Sequence, residues 1–139
     1  MRYSTSCCTI LLTAALTAAG CDDANPLLPP TTGPELVAVT DTFSNTLTVN
    51  GGRTHPFTVE RVGSVTATLS SLSTPATTIG LSLGTWNGAS CQIIIANDAA
   101  TVATSVIGTA QTTGQFCVRL YDVGTLTDAT TYSVDVTHY

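Results

Sequence analysis

The segment Gln115-Phe116-Cys117-Val118-Arg119-Leu120-Tyr121-Asp122 alternates in character from one residue to the next. Phe116, Val118 and Leu120 fall on one face, and Cys117, Arg119 and Tyr121 on the other. A second run repeats the pattern, with Tyr132, Val134 and Val136 set against Ser133, Asp135 and Thr137. Successive side chains of an extended chain point to opposite faces of a sheet, so alternation of this length specifies half-buried β-strands. Between the two runs lie Asp122, Gly124 and Asp128, all turn formers. The economical expectation is a closing hairpin with a long loop.

The rest of the chain agrees with an all-β reading. Only 9% of the residues are charged and none is lysine, against roughly 25% charged in an average soluble protein. Solubility must come from hydroxyls, and about one residue in five is threonine. A β-branched residue that carries both a methyl and a hydroxyl suits the watered face of a strand. Beyond residue 20 the basic side chains are Arg53, Arg61 and Arg119, set against nine carboxylates. They do not cluster in sequence, which excludes the cationic stripe that nucleic-acid binding requires.

Residues 1–20 have the form of an export leader: Arg2, an apolar run from Ile10 to Leu16, then Ala18-Ala19-Gly20. That run is too short to span a bilayer as a helix. Leu16-Thr17-Ala18-Ala19-Gly20-Cys21 resembles the lipobox of bacterial lipoproteins, with Ala18 where leucine is usual. The resemblance implies that the Cys21 sulfur accepts diacylglycerol and that the mature chain is held in the membrane by several acyl chains, palmitate among them, as stable anchoring needs. Residues 21–34 form a tether. Pro26, Pro29, Pro30 and Pro34 favour extended geometry, giving a reach of up to roughly 40 Å.

Residues 35–139 are the expected β-sandwich head, near the roughly 100 residues of a minimal sandwich. Strands are expected at 35–40 and 42–49, then after the Asn50-Gly51-Gly52 turn at 55–60, where Pro56 marks a strand start or an edge. Further strands are expected at 65–70, 79–84, 91–96 and 101–110, giving about eight or nine with the closing pair. Cys91 to Ala96 reads as a run buried on more than one side, and Asn97-Asp98 as a turn. With Cys21 assigned to the lipid, Cys91 and Cys117 remain in the head and are expected to form a disulfide. Its place opposite Phe116, Val118 and Leu120 puts it on the outer surface or rim of one sheet.

The tryptophan precedes both cysteines, which argues against an immunoglobulin arrangement. The segment from Thr42 to Val136 resembles the bacterial pre-peptidase C-terminal domain family. The likeness lies in Thr42-Phe43-Ser44-Asn45-Thr46-Leu47, Phe57-Thr58-Val59 with Gly63-Ser64-Val65-Thr66-Ala67-Thr68-Leu69, and the closing strands. It implies a jelly-roll-like antiparallel sandwich and a non-catalytic accessory role in the envelope. The aspartate-rich segment common in that family is missing where Thr77-Thr78-Ile79-Gly80-Leu81-Ser82-Leu83 stands.

Candidate chemistry is sparse. His55 and His138 have no third ligand at metal spacing and read as solvated strand-end residues. No G-x-S-x-G elbow occurs, so the chain is expected not to be an enzyme and to need no cofactor. Trp86 and Asn87, in a glycine-flanked turn, are the candidate ligand contact: an indole face with a neighbouring amide suits a pyranose ring. Trp86 as a cap on the core is the competing reading. Asp98, Asp122 and Asp128 could supply oxygens to calcium if they meet at one end of the sandwich, or could simply make turns. The expected whole is a monomeric, lipid-anchored module facing the periplasm or exterior, meeting an unknown envelope protein or glycan. The alternatives are a glycan-binding module using Trp86 and a soluble secreted module that assists a partner enzyme.

Overall fold

The computed structural model describes residues 35–139. Cys21, the leader and the tether lie outside the described residues. Eight strands follow in order: β1 (Val39–Leu47), β2 (Gly52–Val59), β3 (Gly63–Leu72), β4 (Ile79–Trp86), β5 (Cys91–Ala100), β6 (Ser105–Ala110), β7 (Gly114–Tyr121) and β8 (Thr130–His138). They form two four-stranded antiparallel sheets, ordered β1-β8-β3-β6 and β2-β7-β4-β5. Consecutive strands from β1 to β4 alternate between the sheets, and so do β5 to β8. Two interlocked Greek keys of this kind make a jelly roll.

The topology corrects the expected closing hairpin. β7 pairs with β2 and β4, whereas β8 pairs with β1 and β3. The loop after Asp122 therefore crosses between the sheets. Phe116, Val118 and Leu120 meet Tyr132, Val134 and Val136 across the core rather than side by side. Alternation specifies which face of a strand is buried and leaves its neighbour open. The two strands expected at 35–40 and 42–49 are the single strand β1. Residues 97–98 lie inside β5, not in a turn.

Inward residues of both sheets fill the space between them, among them Leu69, Leu81, Leu120, Tyr132 and Val134, each at most 2% exposed. The outer face of the first sheet carries the hydroxyls that the composition promised. Thr40 meets Thr137 at 2.9 Å, Thr42 donates to Asp135 at 2.7 Å, and Ser44 meets Ser133 at 2.6 Å. These are directly opposed residues of β1 and β8, so the polar face reinforces the register that the apolar face sets.

β5 departs most from expectation. It is an edge strand, and Ile93, Ile94 and Ile95 are 48%, 72% and 39% exposed rather than buried. Its register against β4 slips twice, once between Ile79 and Leu81 and once between Leu83 and Gly84. Each slip leaves extra residues on β5, and a bulge of this kind bends the strand that carries it. The bend brings the Gln92 carbonyl so close to Gly84 that a Cβ at position 84 would strike it. Glycine is required there by the approach of another backbone.

Cys91, at the start of β5, then reaches Cys117 on β7, two strands away across β4, with Cα atoms 5.8 Å apart. The bridge lies on the sheet's outer side, as the alternation of β7 implied, yet Cys117 is fully buried. A disulfide in a small domain belongs to an oxidising, extracytoplasmic compartment.

Candidate functional site

The histidines are not solvated strand ends. His55 sits within β2, an edge strand as Pro56 implied. Its ring stacks on Phe43 with centroids 4.9 Å apart, and its Nε2 lies 2.7 Å from the Tyr132 hydroxyl. Burial first, and the Arg53 charge second, push its pKa below the usual histidine value. The tautomer of the neutral ring sets which of the two groups donates. Burial also raises the Tyr132 pKa to about 12, against a smaller opposing effect of Arg53. His138 is buried at the end of β8, stacked on Phe57, with Nε2 3.1 Å from Asp41 Oδ2. Its Nδ1 is buried without a partner. Both rings close the seam where β1 and β2 meet. Sequence patterning missed this because histidine fits either a strand end or an aromatic stack.

The three aspartates have separate employments. Asp122 Oδ1 accepts the backbone N–H groups of Gly124, Thr125 and Leu126 at 2.8, 3.0 and 3.1 Å, and Oδ2 accepts that of Asn50 at 2.7 Å. Those donors, Asn50 foremost, hold its carboxyl below the usual carboxylate range. Asp122 thereby ties the β7–β8 crossing to the β1–β2 turn, where Asn50 takes a left-handed conformation at φ 52°. Asp98 accepts the Tyr121 hydroxyl, and Asp128 accepts that of Thr127. Among the described residues no three His, Cys, Asp or Glu side chains gather at metal-binding geometry. Trp86 ends β4 half-exposed, opposite Cys91. Asn87 spends its Oδ1 on the N–H groups of Ala89 and Ser90 and its amide nitrogen on the Ser90 hydroxyl. It shapes the turn.

A polar cleft lies on the outer face of the second sheet. It measures about 430 Å³ and is lined by Asn50, Gly51, Gly52, Ile93, Arg119, Tyr121 and Asp122. The Tyr121 ring lies over Gly80, where a Cβ would meet three of its ring carbons. Burial, then the bond to Asp98 and the Asp98 charge, push the Tyr121 pKa up to about 12, with Arg119 opposing. Arg119 reaches the Thr54 hydroxyl at 3.5 Å. Among the described residues no carboxylate lies within salt-bridge distance of this guanidinium. A smaller apolar cleft of about 50 Å³ opens between β5 and β6, lined in part by Leu83, Ile94, Ile95 and Phe116.

Comparison with known proteins defines a class by fold. No protein-family model matches the chain, and no curated protein does. Solved structures that share the architecture include two of bacterial origin. One is the Yersinia pseudotuberculosis-derived mitogen, with a TM-score of 0.56 and 19% identity over 74% of this chain and 88% of that one. The other is Aeromonas hydrophila PliG, a periplasmic inhibitor of g-type lysozyme, with a TM-score of 0.54 and 13% identity over 72% of this chain and 86% of that one. At such identity the likeness is one of fold.

Proposed function

We propose that this protein is a non-catalytic, lipid-anchored module of the bacterial cell envelope that binds or presents through its sandwich head. The observation that carries the reading is where the acid–base side chains are spent. Both histidines of the head are so engaged, His55 by Tyr132 and His138 by Asp41. An acid–base catalyst must reach the proton that it moves, and these groups face structural partners instead. The disulfide fits an exported head. The leader, Cys21 and proline tether supply the anatomy of anchor and spacer. The resemblance to the pre-peptidase C-terminal domain family rests on the strand pattern, and the jelly-roll topology is compatible with it.

Fractionation and palmitate labelling of cells expressing the full chain test the anchor. The wild-type protein is expected with membranes and to incorporate labelled palmitate, Cys21→Ser is expected to lose the label, and globomycin is expected to accumulate the uncleaved precursor. A wild-type chain that takes up no label and is processed normally in globomycin rejects lipidation at Cys21 and favours a soluble secreted module.

A further inference from the structure

We infer that the cleft on the outer face of the second sheet is a glycan site, in which Tyr121 is the stacking platform and Arg119 and Asp122 read the hydroxyls of a neutral pyranose. The inference rests on the proposed role as a binding module and gives that role a place and a ligand class.

A pyranose ring offers two complementary surfaces, a face of C–H groups and an edge of hydroxyls that both donate and accept. The platform is built for the first. Gly80 provides the floor on which the Tyr121 ring lies, and Asp98 holds its hydroxyl. Two anchors fix an aromatic ring that lines the cleft, so little rotamer freedom remains to be lost on binding. Ile93, 48% exposed at the β5 bend, adds an apolar wall.

The polar edge has a donor and an acceptor. Arg119 carries five N–H donors, yet among the described residues its one side-chain hydrogen bond is the long contact to Thr54. A Cβ at Gly52 would fall 2.7 Å from its Nη2, so that glycine leaves the guanidinium its room. Asp122 Oδ2 accepts a single bond, from Asn50, and keeps a lone pair for a ligand. Its side chain is already fixed by the backbone, so it is preorganised as an acceptor. The balance of charge selects against acidic sugars. One guanidinium and the Asp122 carboxylate line the cleft, and a second carboxylate, Asp98, is hydrogen-bonded to the Tyr121 hydroxyl. A polyanion meets more negative than positive charge there, whereas a neutral polyol uses both signs. The volume lies within the range of small-molecule sites, roughly 300–1,000 Å³.

Isothermal titration of the full-length protein in detergent, with cellotetraose, chitotetraose and maltotetraose and with polygalacturonate as the acidic probe, tests the inference. At least one neutral tetrasaccharide should bind, with affinity falling tenfold or more in both Arg119→Gln and Tyr121→Leu. Trp86→Ala should change it less than twofold. Arg119 is half-exposed, so Arg119→Gln keeps the test decisive if Tyr121→Leu misfolds. Binding lost only in Trp86→Ala overturns this site and leaves the module reading standing. Binding of polygalacturonate alone, or of none of the four, overturns the ligand class. Cleavage of any tetrasaccharide would instead overturn the non-catalytic reading itself.

Discussion

His55 shows how one side chain links sequence, packing and pH. Its pKa in the fold lies below that of the free side chain, because burial and Arg53 both disfavour the imidazolium. Protonation therefore favours the unfolded chain. The stability that the neutral ring contributes is complete above the ordinary histidine pKa near 6.5 and is lost as pH falls toward the lower folded value. Thermal melts should show a declining midpoint between pH 7 and pH 5, and His55→Gln should flatten that decline; an equal slope in the variant would remove His55 as its cause. Gly84 is the second decisive residue. Gly84→Ala drives a Cβ into the Gln92 carbonyl, a backbone atom that moves only with the whole bend. Overpacking of this kind costs about 1–3 kcal/mol, and we expect the upper half of that range in urea denaturation. Neither residue's role was legible in the chain. A histidine before a proline and a glycine before a threonine fit many settings, and only the neighbours brought by the fold decide between them.

Among the elements, β7 was the most legible and β5 the least. The strict alternation of β7 gives the buried Val118 and Leu120, and it correctly puts Cys117 on the other face. What it could not give was a partner, because a strand with one apolar face packs equally well beside a neighbour or across a core. β5 was misread for a different reason. Three consecutive isoleucines look like a strand buried on both faces, but the bulge re-aims them at an open edge. The disulfide pins that bend to β7, and closing a 26-residue separation should contribute about 3.5 kcal/mol on the chain-entropy account. Replacing both cysteines with serine should lower the denaturation free energy by that order. It should also raise amide exchange in residues 91–95 more than in β8. Uniform loosening of all eight strands would contradict the pinning role.

At the scale of the molecule, the fold class was readable and the site was not. Sparse charge, abundant threonine and regular alternation leave few options but a sandwich clad in hydroxyls, and the ladder of Thr40, Thr42 and Ser44 against β8 is its physical form. The cleft, by contrast, gathers Asn50, Ile93, Arg119 and Asp122 from distant parts of the chain. Their meeting depends on β7 lying between β2 and β4, which no local pattern specifies. On the function proposed above, this head works outside the cytoplasm on a lipid tether. Intact-mass spectrometry of the protein purified from bacterial membranes decides whether it does. We predict a chain beginning at Cys21, heavier by its acyl chains and lighter by the two hydrogens of the Cys91–Cys117 bond. A mature chain that starts at another residue, or one that begins at Cys21 without acyl mass, would contradict it.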